Sequence, residues 1–256
     1  MLGAIAGDII GSVHESAATK YKHFQLFTPE SSFTDDTVLT VAVAECVLDD
    51  RHYVDVFHKY YAAYPYAGYG GSFRFWAETR RREPYNSWGN GSAMRVSPVG
   101  FAYNDLETVL SEAERSAAVT HSHPEGIKGA QATAAAIFLA RHEHSKIEIQ
   151  DYLEQQFNYD LSTPLDEIRE TYFFDVSCQG SVPQALRAFL EADDFEDAIR
   201  NAISLGGDAD TMACIAGAVA HAFYGQIPAF IRDEIRQRLD APLRDVCDRF
   251  EEKYGR

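Results

Sequence analysis

The sequence predicts an all-α fold, a single compact orthogonal helical bundle. Three observations carry that prediction. Apolar residues recur at three- and four-residue spacing along most of the 256 residues, alternating strand-like runs with hairpin turns are nearly absent, and no linker rich in Gly, Pro or Ser divides the chain. With 46% hydrophobic residues the chain can bury a sizeable core, and its length suits one domain over residues 1–256.

The elements follow in order. The apolar opening predicts a helix over roughly 2–13; it has no basic leader, and Asp8 interrupts it, so it does not read as a secretion signal. A helix over 35–49 starts behind Thr34, a good N-cap, with Asp35 and Asp36 placed to suit the helix dipole. "VDVFHKYYAAY" supports a helix over 52–63, and further helices are predicted over 104–118, 125–142 and 146–156. "QALRAFL" and "AIRNAI" support helices over 181–192 and 194–204, followed by 210–224, 227–238 and 242–254. In "GGDADT", Gly206 and Gly207 end one helix, and Asp208 or Asp210 caps the next. Two segments, 66–76 and 86–100, are Gly-rich and read as irregular loops where backbone can approach a ligand closely.

Composition excludes several classes. The formal net charge is −16, which repels a phosphate backbone and argues against a nucleic-acid binder. No apolar run reaches membrane-spanning length. Cys46, Cys178, Cys214 and Cys247 are widely spaced, without a zinc or disulfide pattern, and read as buried free thiols. The expectation is a cytoplasmic monomer with no nucleic-acid or membrane partner.

"FTDDT" and "GGDADT" each offer two carboxylates and a threonine hydroxyl ahead of a strongly apolar helix, with no Arg or Lys within four residues. Taken singly, each is a helix start. Together, packing of the two apolar helices in one core would bring their N-terminal ends side by side. Four converging carboxylates repel one another unless a divalent cation neutralises them. Oxygen-only ligands select Mg²⁺ or Mn²⁺, and four carboxylates suit two ions.

Five motifs in order, "GAIAGDIIGSVHE", "FTDDT", "GNGSAMRVSPVG", "TH" at 120–121 and "GGDADT", resemble those of the ADP-ribosylglycohydrolases, from about residue 1 to 225. That family includes dinitrogenase-reductase-activating glycohydrolases and ADP-ribosyl-acceptor hydrolases. The resemblance implies an all-α bundle with a binuclear Mg²⁺ or Mn²⁺ centre at the mouth of a cleft. It implies Thr34, Asp35, Asp36, Asp208, Asp210 and Thr211 as metal ligands. It further implies a substrate of ADP-ribose attached to a protein side chain, arginine ahead of serine, cleaved at the distal ribose anomeric carbon; a small ADP-ribosyl metabolite is the alternative substrate. Glu15, Asp36 and Asp210 are the candidates for catalytic acid or base.

Gly89, Asn90, Gly91, Ser92 and Met94 of the Gly-Asn-Gly loop, with Gly70, Gly71, Ser72 and His121, are the expected substrate-binding residues. Tyr69, Phe73, Trp76 and Trp88 are candidates for adenine stacking or for packing. Arg95 has two readings, a phosphate ligand or the partner of a structural carboxylate. The basic stretch with Arg74 and Arg80 to Arg82 reads as solvated charge. Helical diphosphate enzymes need carboxylates three or four apart on one helix face, which these motifs lack. A non-catalytic relative, such as the family's lens-crystallin members, would lose a metal carboxylate; all four are present.

Overall fold

The computed structural model describes residues 1–255. Fifteen helices follow one another: α1 (Leu2–Gly11), α2 (Asp35–Asp49), α3 (Tyr53–Ala63), α4 (Gly71–Glu78), α5 (Gly91–Met94), α6 (Ser97–Ala102), α7 (Leu106–Ala118), α8 (Pro124–Arg141), α9 (Lys146–Phe157), α10 (Leu165–Thr171), α11 (Cys178–Leu190), α12 (Phe195–Ile203), α13 (Ala209–Tyr224), α14 (Ala229–Arg238) and α15 (Ala241–Tyr254). Among the described residues there is no strand; one antiparallel bridge joins Gly89 to Ser177. The all-α prediction holds.

Helix α13 is the centre of the molecule. Every residue from Ala209 to Ala220 is buried, and the helix packs against α1, α8, α11 and α12. Its partnership with α1 is the most extensive in the fold. The cause lies in glycines four residues apart on α1. A Cβ at Gly3 would lie 2.2 Å from the Gly217 carbonyl oxygen, one at Gly7 2.0 Å from that of Ala213, and one at Gly11 2.5 Å from the Asp210 Cα. Residues i and i+4 share a helix face, so this face of α1 is bare backbone pressed on α13. The other residues of α1 are buried too, including Ile5, Ile9 and Ile10; each such side chain contributes about 1.5–3 kcal/mol of apolar burial.

Helix α2 begins where its sequence signals say: the Thr34 hydroxyl accepts from Asp36 N, and the helix ends ahead of Asp50 at φ 49°. Several expectations need correction. The stretch 66–76 is not irregular throughout, since α4 starts at Gly71, and the loop 86–100 contains α5 and the start of α6. Helix α10 was not expected; seven residues are too few to establish a period. Helix α11 starts at Cys178 rather than 181, because Ser177 caps it by accepting from Gly180 N, and Pro183 lies inside it. The four cysteines are free and buried, and no helix of the described residues is long and apolar enough to cross a membrane.

Candidate active site and metal centre

The α1–α13 seam sets Asp8 beside the N-terminal ends of α2 and α13. Asp8 is buried and tethers α2: it accepts from Thr34 Oγ1 at 2.7 Å, from Thr34 N and Thr37 N at 3.0 Å each, and from Thr37 Oγ1. Across this junction Thr211 Oγ1 donates to Asp36 Oδ2 at 3.3 Å, linking α13 to α2. Asn90 Nδ2, at the head of α5, donates to Asp208 Oδ2 at 2.6 Å. Carboxylate oxygens of Asp8, Asp36 and Asp210 lie within 4.8 Å of one another, and so do those of Glu15, Asp208 and Asp210. Two three-carboxylate groups thus share Asp210.

No Lys or Arg pairs with any of these carboxylates among the described residues. Burial without a counter-charge has the expected effect. Burial, followed by Asp210, pushes Asp8 up to about 7 despite its four donors. Burial and then the Asp210 charge hold Asp35, Asp36 and Asp208 well above the ordinary carboxylate range. Glu15 is exposed at the rim and is raised by partial desolvation and by Asp210. Asp36 Oδ1 is buried with no hydrogen-bond partner. Orphaned oxygen, repelling carboxylates and threonine hydroxyls form an all-oxygen donor set that fits hard divalent cations. Both Asp8 oxygens are already engaged by α2, so Asp8 supports this set from behind.

These groups line a cavity of about 350 Å³. Of the residues singled out from the sequence, Glu15, Thr34, Asp35, Asp36, Asp208, Asp210 and Thr211 line it. Gly70, Gly71, Ser72, Gly89, Asn90, Gly91, Met94 and His121 line it as well. Ser92 does not: it is buried behind the wall, donating to the Gly126 carbonyl at 2.6 Å.

The aromatic candidates divide. Phe73 lines the cavity and stacks on Tyr69, whereas Trp76 is core, stacked on His58 and donating to the Glu83 carbonyl. Trp88 is 50% exposed and outside the lining. Arg95 has no carboxylate partner among the described residues; it is fully buried and reaches the cavity wall. His123 caps α8, and Arg82 pairs with Asp55, as the solvated-charge reading requires.

Asp8 and the lining residues Leu39, Gly68, Tyr85, Ser87 and Val176 escaped sequence reasoning. Tyr85 and Val176 carry no local signal. Asp8 carries one, an acid inside an otherwise apolar helix segment, three residues ahead of Gly11.

Comparison with known proteins is consistent with this architecture. The family profile described as ADP-ribosylglycohydrolase matches residues 1–256. The chain is similar to ADP-ribosylhydrolase ARH3 of Mus musculus, 28% identical over 312 aligned positions covering 89% of this chain and 84% of that protein. It is similar to ADP-ribosylhydrolase ARH3 of Homo sapiens at 27% identity over 89% and 85% of the two chains. A solved structure titled "ADP-ribosylglycohydrolase-related protein complex" superposes with a TM-score of 0.73 at 26% identity, covering 99% of this chain and 95% of that one. With an all-α fold, a whole-chain profile match and agreement in both sequence and structure, the chain belongs to the ADP-ribosylglycohydrolase family and is a glycosidic-bond hydrolase.

Proposed function

We propose that this enzyme removes ADP-ribose from modified protein side chains by hydrolysing the N- or O-glycosidic bond at the anomeric carbon of the distal ribose. One observation carries the reading: the two acidic motifs and the Gly-Asn-Gly loop line the same cavity, beside His121. Thr34, Asp35, Asp36, Asp208, Asp210 and Thr211 would hold two Mg²⁺ or Mn²⁺ ions. Such ions, when bound, neutralise the carboxylates and coordinate sugar hydroxyl oxygens.

The chain's own residues supply the rest. Asp8 and Asn90 hold the ligand carboxylates in place, through α2 and through Asp208 respectively. Phe73, Met94 and Leu39 give part of the wall an apolar character that excludes water from the departing bond. Glu15 is the carboxylate that solvent reaches, and its raised proton affinity suits a base. As water attacks the anomeric carbon, the bond to the acceptor nitrogen or oxygen breaks. One water proton passes to Glu15 and on to solvent, and the departing acceptor atom takes up a proton from solvent, so that one water is consumed and Glu15 is regenerated. Asp36 is only 2% exposed and one of its oxygens is held by Thr211, which suits a ligand better than a proton carrier.

The test is release of free ADP-ribose from arginine-linked and serine-linked protein substrates, arginine first, with Mg²⁺ and with chelator. Release is expected to need the metal, and Asp36→Ala and Asp210→Ala are each expected to lower it by at least about a hundredfold. Glu15→Gln should reduce turnover while leaving ADP-ribose affinity within a fewfold. Release that persists in chelator would contradict the metal-centred reading.

A further inference from the structure

Arg95 is fully buried, yet no carboxylate among the described residues pairs with it. Its guanidinium lies over the Phe57 ring, 4.6 Å from the centroid, with Nε and Nη1 unpartnered. Burial lowers it to about 10, so it stays charged at neutral pH. A buried cation of this kind is costly, and its position calls for a reason.

Among the described residues its hydrogen bonds leave from Nη2: to the Ser116 carbonyl at 2.9 Å and to Thr120 Oγ1 at 2.8 Å. Thr120 Oγ1 in turn lies 2.8 Å from His121 Nδ1. The far nitrogen of that ring, Nε2, is turned to the loop at the cavity wall: a Cβ at Gly91 would be 3.2 Å from it and one at Gly89 3.7 Å.

Guanidinium only donates, so Arg95 fills a lone pair of Thr120 and leaves the hydroxyl proton free to turn elsewhere. We propose that Arg95 acts through Thr120 to fix His121 with its ring proton on Nε2, presenting an N–H donor to the sugar-nucleotide in the cavity. The donor role rests on the ligand assigned above; the proton's position rests on geometry alone.

Two considerations select this tautomer. His121 is neutral, because burial and then the nearby Arg95 charge hold it well below the ordinary histidine range, so the ring carries one proton. The reverse arrangement has Nδ1–H donating to Thr120 and the threonine proton turned to the neighbouring Tyr85 hydroxyl. Thr120 Oγ1 could take both donors on its two lone pairs, but the bare Nε2 lone pair would then face a cavity lined by Asp35, Asp36, Asp208, Asp210 and Glu15, and an anionic ligand. A neutral N–H avoids that repulsion. Arg95 and Thr120 are thus positioning residues, one step removed from the ligand.

The experiment uses the intact chain labelled with ¹⁵N in histidine, with His121 assigned by comparison with His121→Gln. Long-range proton–nitrogen spectra at neutral pH are expected to show Nε2 protonated and Nδ1 bare in the wild type and in Thr120→Ser. In Thr120→Val, the isostere without a hydroxyl, the proton is expected to redistribute to Nδ1. ADP-ribose affinity in Mg²⁺ should fall about tenfold in Thr120→Val and stay within about twofold in Thr120→Ser.

A protonated Nδ1 in the wild type overturns the proposal, and so does a Thr120→Ser protein as impaired as Thr120→Val. A shifted tautomer with unchanged affinity overturns the donor role. Should Thr120→Val fail to fold, the wild-type spectrum and the Thr120→Ser affinity still decide. A wild type that carries Nε2–H but does not bind ADP-ribose upholds the relay and removes the ligand reading instead.

Discussion

Asp8 sits at the point where three helices meet, and its carboxyl faces donors on one side and carboxylates on the other. Its proton affinity is raised from 3.8 to about 7, so the metal-free folded chain keeps a proton there that the unfolded chain has already lost. The contribution of Asp8 to the stability of the metal-free protein is therefore fully present below pH 3.8 and is lost as pH rises towards 7. Asp8→Asn removes that dependence at little structural cost. The amide oxygen can accept from Thr34 N and Thr37 N as Oδ2 does, while the amide nitrogen donates to Thr34 Oγ1. Thermal melts in chelator between pH 4 and 8 should show a flatter decline for Asp8→Asn than for the wild type. Asp8→Ala, which orphans four donors, should lose stability at every pH, by about 1–3 kcal/mol.

At the scale of helices, the sequence was readable where a cap and a long period coincide, and unreadable where short helices or backbone contact decide. The helix over 35–49 announced itself through Thr34 and its two aspartates, and it stands at those residues. Helix α4 hid behind a Gly-rich start and α10 behind its brevity. The two acidic motifs were visible because acids ahead of an apolar helix are conspicuous. What brings them together was not: the glycine spacing in "GAIAGDIIG" looks like ordinary small-residue filling until α13 lies against it.

A contrast between glycines tests this account. Gly7→Ala drives a methyl to 2.0 Å from backbone that cannot move aside, so the protein should melt many degrees lower or fail to fold. Gly71→Ala meets nothing within 4 Å at the start of α4. Its stability should hold or rise slightly, by up to about 1 kcal/mol of helix preference, so any loss of ADP-ribose affinity there reports ligand contact rather than folding.

Over the whole molecule, an acidic protein with a net charge of −16 concentrates part of its repulsion in one buried place. Divalent cations should relieve it, and the relief should depend on pH. At pH 5 Asp8 is largely protonated and Asp35, Asp36 and Asp208 resist ionisation, so Mg²⁺ must displace protons to bind. At pH 8 Asp8 is ionised and proton competition is weaker. The rise in melting temperature on adding Mg²⁺ should be clearly larger at pH 8 than at pH 5, measured by scanning calorimetry. An equal rise at both would contradict an acidic centre as the binding place.

The bare-backbone seam between α1 and α13 has a further consequence during synthesis. The first helix leaves the ribosome, carrying a greasy stripe and one misfit acid, well before Ala209–Tyr224, which forms the groove that receives it. Until that groove emerges, the first helix has no home, and the acidic cavity cannot begin to form. A nascent chain stalled ahead of Ala209 should therefore recruit chaperones through its front end and bind no metal, and cutting the gene in two should yield no half that works alone.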